Sequence, residues 1–164
     1  MNGLLIGRFQ PFHLGHLHGI KTALSKVDML WLGIGSSNKK PEKNNPFSAD
    51  ERKEMIEASL EPEMKNRIKI FYIPDLDDHK KWVENIDTIV PPYESVFSND
   101  ELTRHIYSRR GVQVLEIPFS QRDALSGTNI RDLIKSQKEW KHLVPNGTLN
   151  VLNRIGAADR LKDL

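Results

Sequence analysis

Two histidines three residues apart, His13 and His16, share the segment Gly7-Arg8-Phe9-Gln10-Pro11-Phe12-His13-Leu14-Gly15-His16 with an arginine and a glycine. The segment follows directly on the apolar run Leu4-Leu5-Ile6, so its order predicts a short buried strand, a turn and a helix start. A helix start offers unpaired N–H groups and the positive end of the helix dipole, both attractive to anions. Two imidazoles and the guanidinium of Arg8 add donors and charge at the same place. Gly15, lacking a side chain, lets a base or phosphate approach the backbone closely. This is chemistry suited to a nucleotide triphosphate. A His-x-x-His pair can also supply two metal ligands. The metal reading finds no third ligand nearby and leaves Arg8 and Gly15 without a role.

The far end of the chain carries a second constellation. Ser126-Gly127-Thr128 opens a helical pattern, and Arg131 falls on its first turn. A cation there opposes the helix dipole, a placement that makes sense where an anion is bound. Between these two segments, Asp75 stands at the end of an apolar run and Trp82 seven residues later. An aromatic face beside a cationic ring gains on the order of 1 kcal/mol. Ser98-Asn99-Asp100 closes another strand-like run.

These residues need a scaffold, and the pattern of the chain supplies one. Apolar, β-branched runs predict strands at Gly3–Ile6, Met29–Ile34, Ile68–Ile73, Ser95–Ser98 and Val112–Ile117. Helical spacing links Leu14, Leu17, Ile20 and Leu24. Ser48-Ala49-Asp50-Glu51 reads as a capping box ahead of Met55, Ile56 and Leu60. A third helix carries Trp82, Val83, Ile86, Ile89 and Val90 and stops at Pro91-Pro92; a fourth covers Glu101–Arg109. Further helices are expected from Ser126, around Trp140–Leu143, and as one terminal helix from Leu149. Residues 36–46 form a long polar loop holding Lys39, Lys40 and Lys43, and 118–125 form a connection. Strands alternating with helices imply an α/β, Rossmann-like, doubly wound parallel sheet of about five strands with helices on both faces. Ligands then bind outside the carboxyl ends of the strands, where Gly7–His16, Asp75 and Ser98–Asp100 all fall.

Composition excludes several classes. The 164 residues hold 38% hydrophobic and 28% charged side chains, the balance of an ordinary folded chain of one domain. The formal charge of +2 is spread without a basic run, so no nucleic-acid partner is expected. With no cysteine, disulfides and thiolate chemistry are ruled out. The start of the chain shows neither a leader pattern nor a spanning segment, so no membrane partner and a cytoplasmic location are expected.

The segment Gly7–His16 resembles the first signature of the nucleotidylyltransferase superfamily, and its G-R-F-Q-P-F-H-x-G-H form resembles the archaeal-type nicotinamide-nucleotide adenylyltransferases. Ser126-Gly127-Thr128-Asn129-Ile130-Arg131 is similar to the second signature. Asn45–Arg52, and Asp75 followed by Trp82, match the same pattern, so the resemblance spans nearly the whole chain. It implies a single nucleotidylyltransferase domain over residues 1–164, with a C-terminal helical segment from about residue 127. It implies transfer of AMP from ATP to nicotinamide mononucleotide, giving NAD and pyrophosphate. His13, His16, Arg8 and Arg131 would be the catalytic set. The ATP site would add Gly7, Phe9, Gly15, Ser98, Asn99, Ser126, Gly127 and Thr128, and the acceptor would meet Phe12, Asp75 and Trp82. Mg²⁺ would be held mainly by the phosphates, with no protein metal site. A homo-oligomer is implied, hexamers being common on the archaeal branch.

Two positions depart from the family pattern. Asn99 replaces a common glycine, and asparagine tolerates the left-handed backbone that glycine allows. Asn44-Asn45 stands where archaeal-type relatives commonly carry an arginine shortly before D-P-F; either Lys39, Lys40 or Lys43 supplies that charge, or these lysines only keep the loop solvated. Three activities remain open from the residues: nicotinamide-nucleotide adenylylation, nucleotidyl transfer to another phosphate acceptor, and nucleotide sensing without turnover.

Overall fold

Consecutive apolar residues along a strand point to both faces of the sheet, so both faces must be covered, and this chain covers them. The computed structural model describes residues 1–118 and 123–164; the expected connection at 118–125 therefore lies partly outside the described residues. Five parallel strands, β1 (Asn2–Gly7), β2 (Met29–Ile34), β3 (Ile68–Tyr72), β4 (Ser95–Phe97) and β5 (Gln113–Leu115), form one sheet in the order β3-β2-β1-β4-β5. Leu5, Leu30, Leu32 and Phe97 face one apolar cluster, while Leu4, Trp31 and Val96 face a second on the other side. The chain winds from β1 outward to β3, then restarts beside β1 with β4. That reversal opens a crevice between the carboxyl ends of β1 and β4.

Helices cover both faces. Helices α1 (Leu14–Leu24) and α2 (Ala49–Ser59) pack on the first cluster with the C-terminal helices α6 (Gly127–Lys135), α7 (Asn146–Arg154) and α8 (Ala157–Asp163). Helices α4 (His79–Ile89) and α5 (Glu101–Arg109) contribute Val83, Ile86 and Tyr107 to the second. The expected capping box opens α2: Ser48 Oγ accepts from Glu51 N–H at 3.1 Å and the Glu51 carboxylate accepts from Ser48 N–H at 2.8 Å. A 3-10 turn occupies Lys141–Leu143.

Two local expectations need correction. A four-residue helix, α3 (Pro62–Lys65), precedes β3 where none was read; Pro62 at its first position suits a helix start. The single terminal helix is two helices, because Gly156 takes a left-handed φ of 65° and breaks the run. Two other loop residues, Phe9 (φ 54°) and Ser36 (φ 51°), also adopt left-handed backbone, each just past the end of a strand at the crevice.

Helix α7 lies unusually close to α2. A Cβ built on Gly147 would sit 2.4 Å from the carbonyl carbon of Ala58, a backbone atom that cannot rotate away. Gly147→Ala is expected to destabilise the protein by about 3 kcal/mol through overpacking, read as a lower midpoint in urea unfolding.

Candidate active site

Gly7 ends β1, and the chain turns through Phe9 into α1. His13 is the N-cap of that helix, in extended backbone, and His16 is its N3 residue. The two side chains cap each other's backbone. His13 Nδ1 accepts from Gly15 N–H at 3.1 Å and His16 N–H at 3.4 Å, while His16 Nδ1 accepts from His13 N–H at 3.1 Å. It is a capping box made with imidazoles in place of the usual hydroxyl and carboxylate. The rings stack with centroids 3.6 Å apart and 22° between planes.

This geometry corrects the expectation of a bare helix start. The N–H groups of Gly15 and His16 are already spent on His13. What the site presents instead follows from the tautomer. A neutral imidazole whose Nδ1 accepts a hydrogen bond carries its proton on Nε2. Both rings thus offer an Nε2–H donor, and neither has a free lone pair for a metal in this arrangement. Burial pushes His13 down to about 4, and burial together with the neighbouring His13 holds His16 well below the usual imidazole range. Both are neutral donors in the free protein.

Gly15 also serves a different purpose from the expected one. A Cβ there would meet His13 Cε1 at 2.9 Å, so the glycine makes room for the capping ring. Behind the pair, Phe9 meets the His16 ring edge-on at 4.8 Å and Phe12 stacks on it at 5.7 Å. Phe12 is fully buried in the core, which corrects its assignment to an acceptor wall: it reaches the site only through His16.

The crevice forms a cavity of about 400 Å³, into which Gly7, His13, Gly15 and His16 face from one side and Ser98 and Ser126 from others. Asn99 borders it too, without using the left-handed backbone that asparagine tolerates. Its amide instead clamps Ile117, accepting from its N–H at 2.8 Å and donating to its carbonyl at 2.7 Å. The side chain prolongs the β4–β5 pairing past the strand ends. Ser98 Oγ accepts from Asp100 N–H at 3.1 Å and tightens the same turn.

Arg131 is half-buried beside the motif. Its Nη1 donates to the Gln10 carbonyl at 2.7 Å and its Nη2 to Thr128 Oγ1 at 3.3 Å; burial and nearby Arg8 lower its pKa. Gly127 permits this contact, since a Cβ there would lie 2.7 Å from Arg131 Nη1 and 3.0 Å from the Gln10 carbonyl. Ser126 Oγ caps α6 through Asn129 N–H at 3.1 Å. Arg8 is exposed at the rim.

Asp75 and Trp82 lie apart from this cavity, on the β3 side of the crevice. The Asn38 amide brackets the Asp75 backbone, accepting from its N–H at 2.9 Å and donating to its carbonyl at 3.3 Å. Trp82 is half-buried on α4 with its ring 5.0 Å from that of His79. In the loop, Lys39, Lys40, Asn44 and Lys43 are exposed, and Asn45 is buried with its Oδ1 unpaired. Among the described residues no three His, Asp or Glu side chains cluster as metal ligands.

The sequence reading overlooked Gln10. Its side-chain amide pairs with both backbone groups of Phe47, donating to the carbonyl and accepting from the N–H at 3.0 Å each. It thus ties the first signature to the loop end, while its own carbonyl holds Arg131. Only its place inside the signature hinted at such a role.

A parallel doubly wound sheet with imidazole and guanidinium donors at its switch point defines a nucleotidyltransferase. Residues 4–154 match the cytidylyltransferase-like family model. The chain is 39% identical to a nicotinamide-nucleotide adenylyltransferase of Methanococcus aeolicus, covering 100% of this chain and 95% of the relative. It is 40% identical to one of Methanolobus tindarius, covering 97% and 91%. It superposes with a TM-score of 0.81 and 25% identity on a bifunctional NMN adenylyltransferase/ADP ribose pyrophosphatase of Francisella tularensis, complexed with AMP and a manganese ion. That match covers 99% of this chain and 51% of the other, so the chain spans about half of the bifunctional protein. The chain belongs to the cytidylyltransferase-like family, on the branch of the nicotinamide-nucleotide adenylyltransferases.

The neutral histidines carry a stability consequence. In the unfolded chain His13 titrates near its ordinary 6.5, whereas in the folded protein it does so at about 4. Between these values the unfolded state binds more protons, so stability is full above pH 6.5 and falls as pH drops through the window. For His13 the loss from pH 7 to pH 5 is about 2 kcal/mol, and His16 adds to it in the same direction. Urea unfolding at the two pH values should show the loss, and His13→Asn should shrink it.

Proposed function

We propose that this protein transfers the adenylyl group of ATP to the phosphate of nicotinamide mononucleotide, forming NAD and releasing pyrophosphate. The observation that carries the proposal is the reciprocal imidazole cap, which fixes two Nε2–H donors on rings that line the crevice of a chain similar to named adenylyltransferases. In the reaction, an oxygen of the acceptor phosphate attacks the α-phosphorus and the bond to the β-phosphate oxygen breaks. The nucleophile is already ionised, so no general base is needed. Catalysis then rests on bringing two anions together and on stabilising charge at the α-phosphoryl and the departing pyrophosphate.

Each group has a part in that task. His16 and His13 donate to α-phosphoryl oxygens from fixed Nε2–H groups. Arg131 keeps guanidinium N–H groups for the β- and γ-phosphates beyond its two protein contacts, and Arg8 adds charge at the rim. The adenosine lies against the Ser98–Asn99 wall, and the nicotinamide end of the acceptor lies toward Asp75 and Trp82. A divalent cation fits this donor set only if the phosphates hold it, because the imidazole nitrogens are committed; the manganese ion of the Francisella protein supports a divalent cation, and we assign Mg²⁺. Bound there, it would neutralise phosphate charge.

Incubation with ATP, Mg²⁺ and nicotinamide mononucleotide should yield NAD, followed through a coupled dehydrogenase. Activity confined to another phosphate acceptor would overturn the substrate assignment, and no activity with any acceptor would make the chain a nucleotide sensor. His16→Ala is expected to lower kcat by about 10²–10³-fold with a smaller change in KM for ATP, since its contact strengthens in the transition state. Trp82→Ala should raise KM for nicotinamide mononucleotide chiefly; an unchanged KM would return Trp82 to the core.

A further inference from the structure

Arg52, on α2, is 1% exposed and is among the largest fully buried side chains of the protein. All of its hydrogen bonds go to backbone carbonyls. Nε donates to Ser48 at 3.1 Å, Nη1 to Arg8 at 2.8 Å and to Gly35 at 2.7 Å, and Nη2 to Ser36 at 3.3 Å. Among the described residues it has no carboxylate within ion-pair distance. Four of its five N–H groups are engaged in this way, and neutral carbonyl partners leave its net charge uncancelled. Burying such a charge is costly, and burial pushes its pKa down to about 10.

The carbonyls it selects explain why that cost is borne. Arg8, Gly35 and Ser36 stand just past the ends of β1 and β2, at the carboxyl edge of the sheet. Parallel strands end there in outward carbonyls, an electronegative rim that repels phosphate. Arg52 takes up three of these dipoles and leaves a positive charge beneath the rim. It also holds Ser36 in its left-handed turn. Its bonds to Arg8 at the end of β1 and to Gly35 and Ser36 at the end of β2 place it beneath the loops that follow these two strands.

An acceptor reaching from Asp75 and Trp82 to the reacting centre at His16 must cross the end of β2, over Arg52. We propose that Arg52 is a positioning residue for the acceptor phosphate: without touching it, the buried guanidinium neutralises the carbonyl rim of β1 and β2 and supplies a fixed positive charge beneath it. This rests on the adenylyltransferase reading above.

The test compares Arg52→Gln with Arg52→Lys, each shown folded by thermal melting. Steady-state KM values for ATP and for nicotinamide mononucleotide would be measured, with calorimetric binding of the mononucleotide alone as a second readout. Arg52→Gln should raise KM and Kd for the mononucleotide about tenfold while KM for ATP changes less than about twofold. Arg52→Lys, which keeps the charge and loses the fork, should stay within about threefold of wild type. Equal shifts for both substrates, equal losses in both variants, or a fall in kcat alone would overturn the proposal. If Arg52→Gln does not fold, Arg52→Lys decides: a rise in mononucleotide KM beyond about threefold refutes the role of charge. A wild type that makes no NAD would instead refute the adenylyltransferase reading.

Discussion

The site depends on one local constraint, the mutual capping of His13 and His16 at the head of α1. A helix start must find acceptors for its first N–H groups, and serine, threonine or aspartate usually provides them. Here imidazoles do so through Nδ1. The cap therefore sets the tautomer, the ring orientation and the neutral state together. Stacked at 3.6 Å and backed by Phe9 and Phe12, the rings have little freedom to lose when a ligand arrives. Donors fixed before binding need no reorganisation as charge develops on a phosphoryl group. The same constraint makes the residue between them a glycine, because any side chain at Gly15 would collide with His13.

Neutral donors orient an anion but contribute little long-range attraction. Two guanidiniums beside the motif carry positive charge, and both are anchored to main-chain carbonyls of the first signature. Arg131 is bound to Gln10 and Arg52 to Arg8. Carbonyl anchors hold a cation in place without cancelling it, whereas a carboxylate would do both. The protein does use a carboxylate for a third guanidinium: Arg160 pairs with Glu51 at 2.6 and 2.8 Å. Charge is thus kept on Arg131 and Arg52 and offset on Arg160.

What the chain discloses locally, its sequence disclosed well. Continuous apolar burial in β1 and β2, the Ser48–Glu51 capping box and the Pro91-Pro92 stop rest on neighbours in the chain, and each is readable there. The signature histidines were readable as donors, though their capping was not, since imidazole is a rare cap. Long-range partners stayed hidden. Nothing in the spacing of Arg52 reports that it ends against Gly35 and Ser36, and nothing near Asn99 reports that it clamps Ile117. An asparagine in a glycine position suggests backbone conformation first. The actual solution, a side chain that imitates a strand partner, needs the neighbouring strand to be seen.

The segment Asn44-Asn45, where the resemblance to the family implies an arginine, is held by neighbours from elsewhere in the fold. The loop end at Asn45-Pro46-Phe47 does not rely on a cation within the loop. Gln10 pairs with both backbone groups of Phe47, Arg160 donates to the Pro46 carbonyl at 3.0 Å, and Ser48 caps the following helix. These three holds come from β1's turn, α8 and α2, so the loop end is fixed from three directions. Position and charge are thereby separable demands: the anchors keep the loop end beside the crevice, and Arg52, buried under that same turn, lies where a charge can act. A surface arginine would have had to be ordered by the ligand itself, at the cost of side-chain entropy. A guanidinium already locked against four carbonyls carries no such cost at binding, because folding has met it in advance.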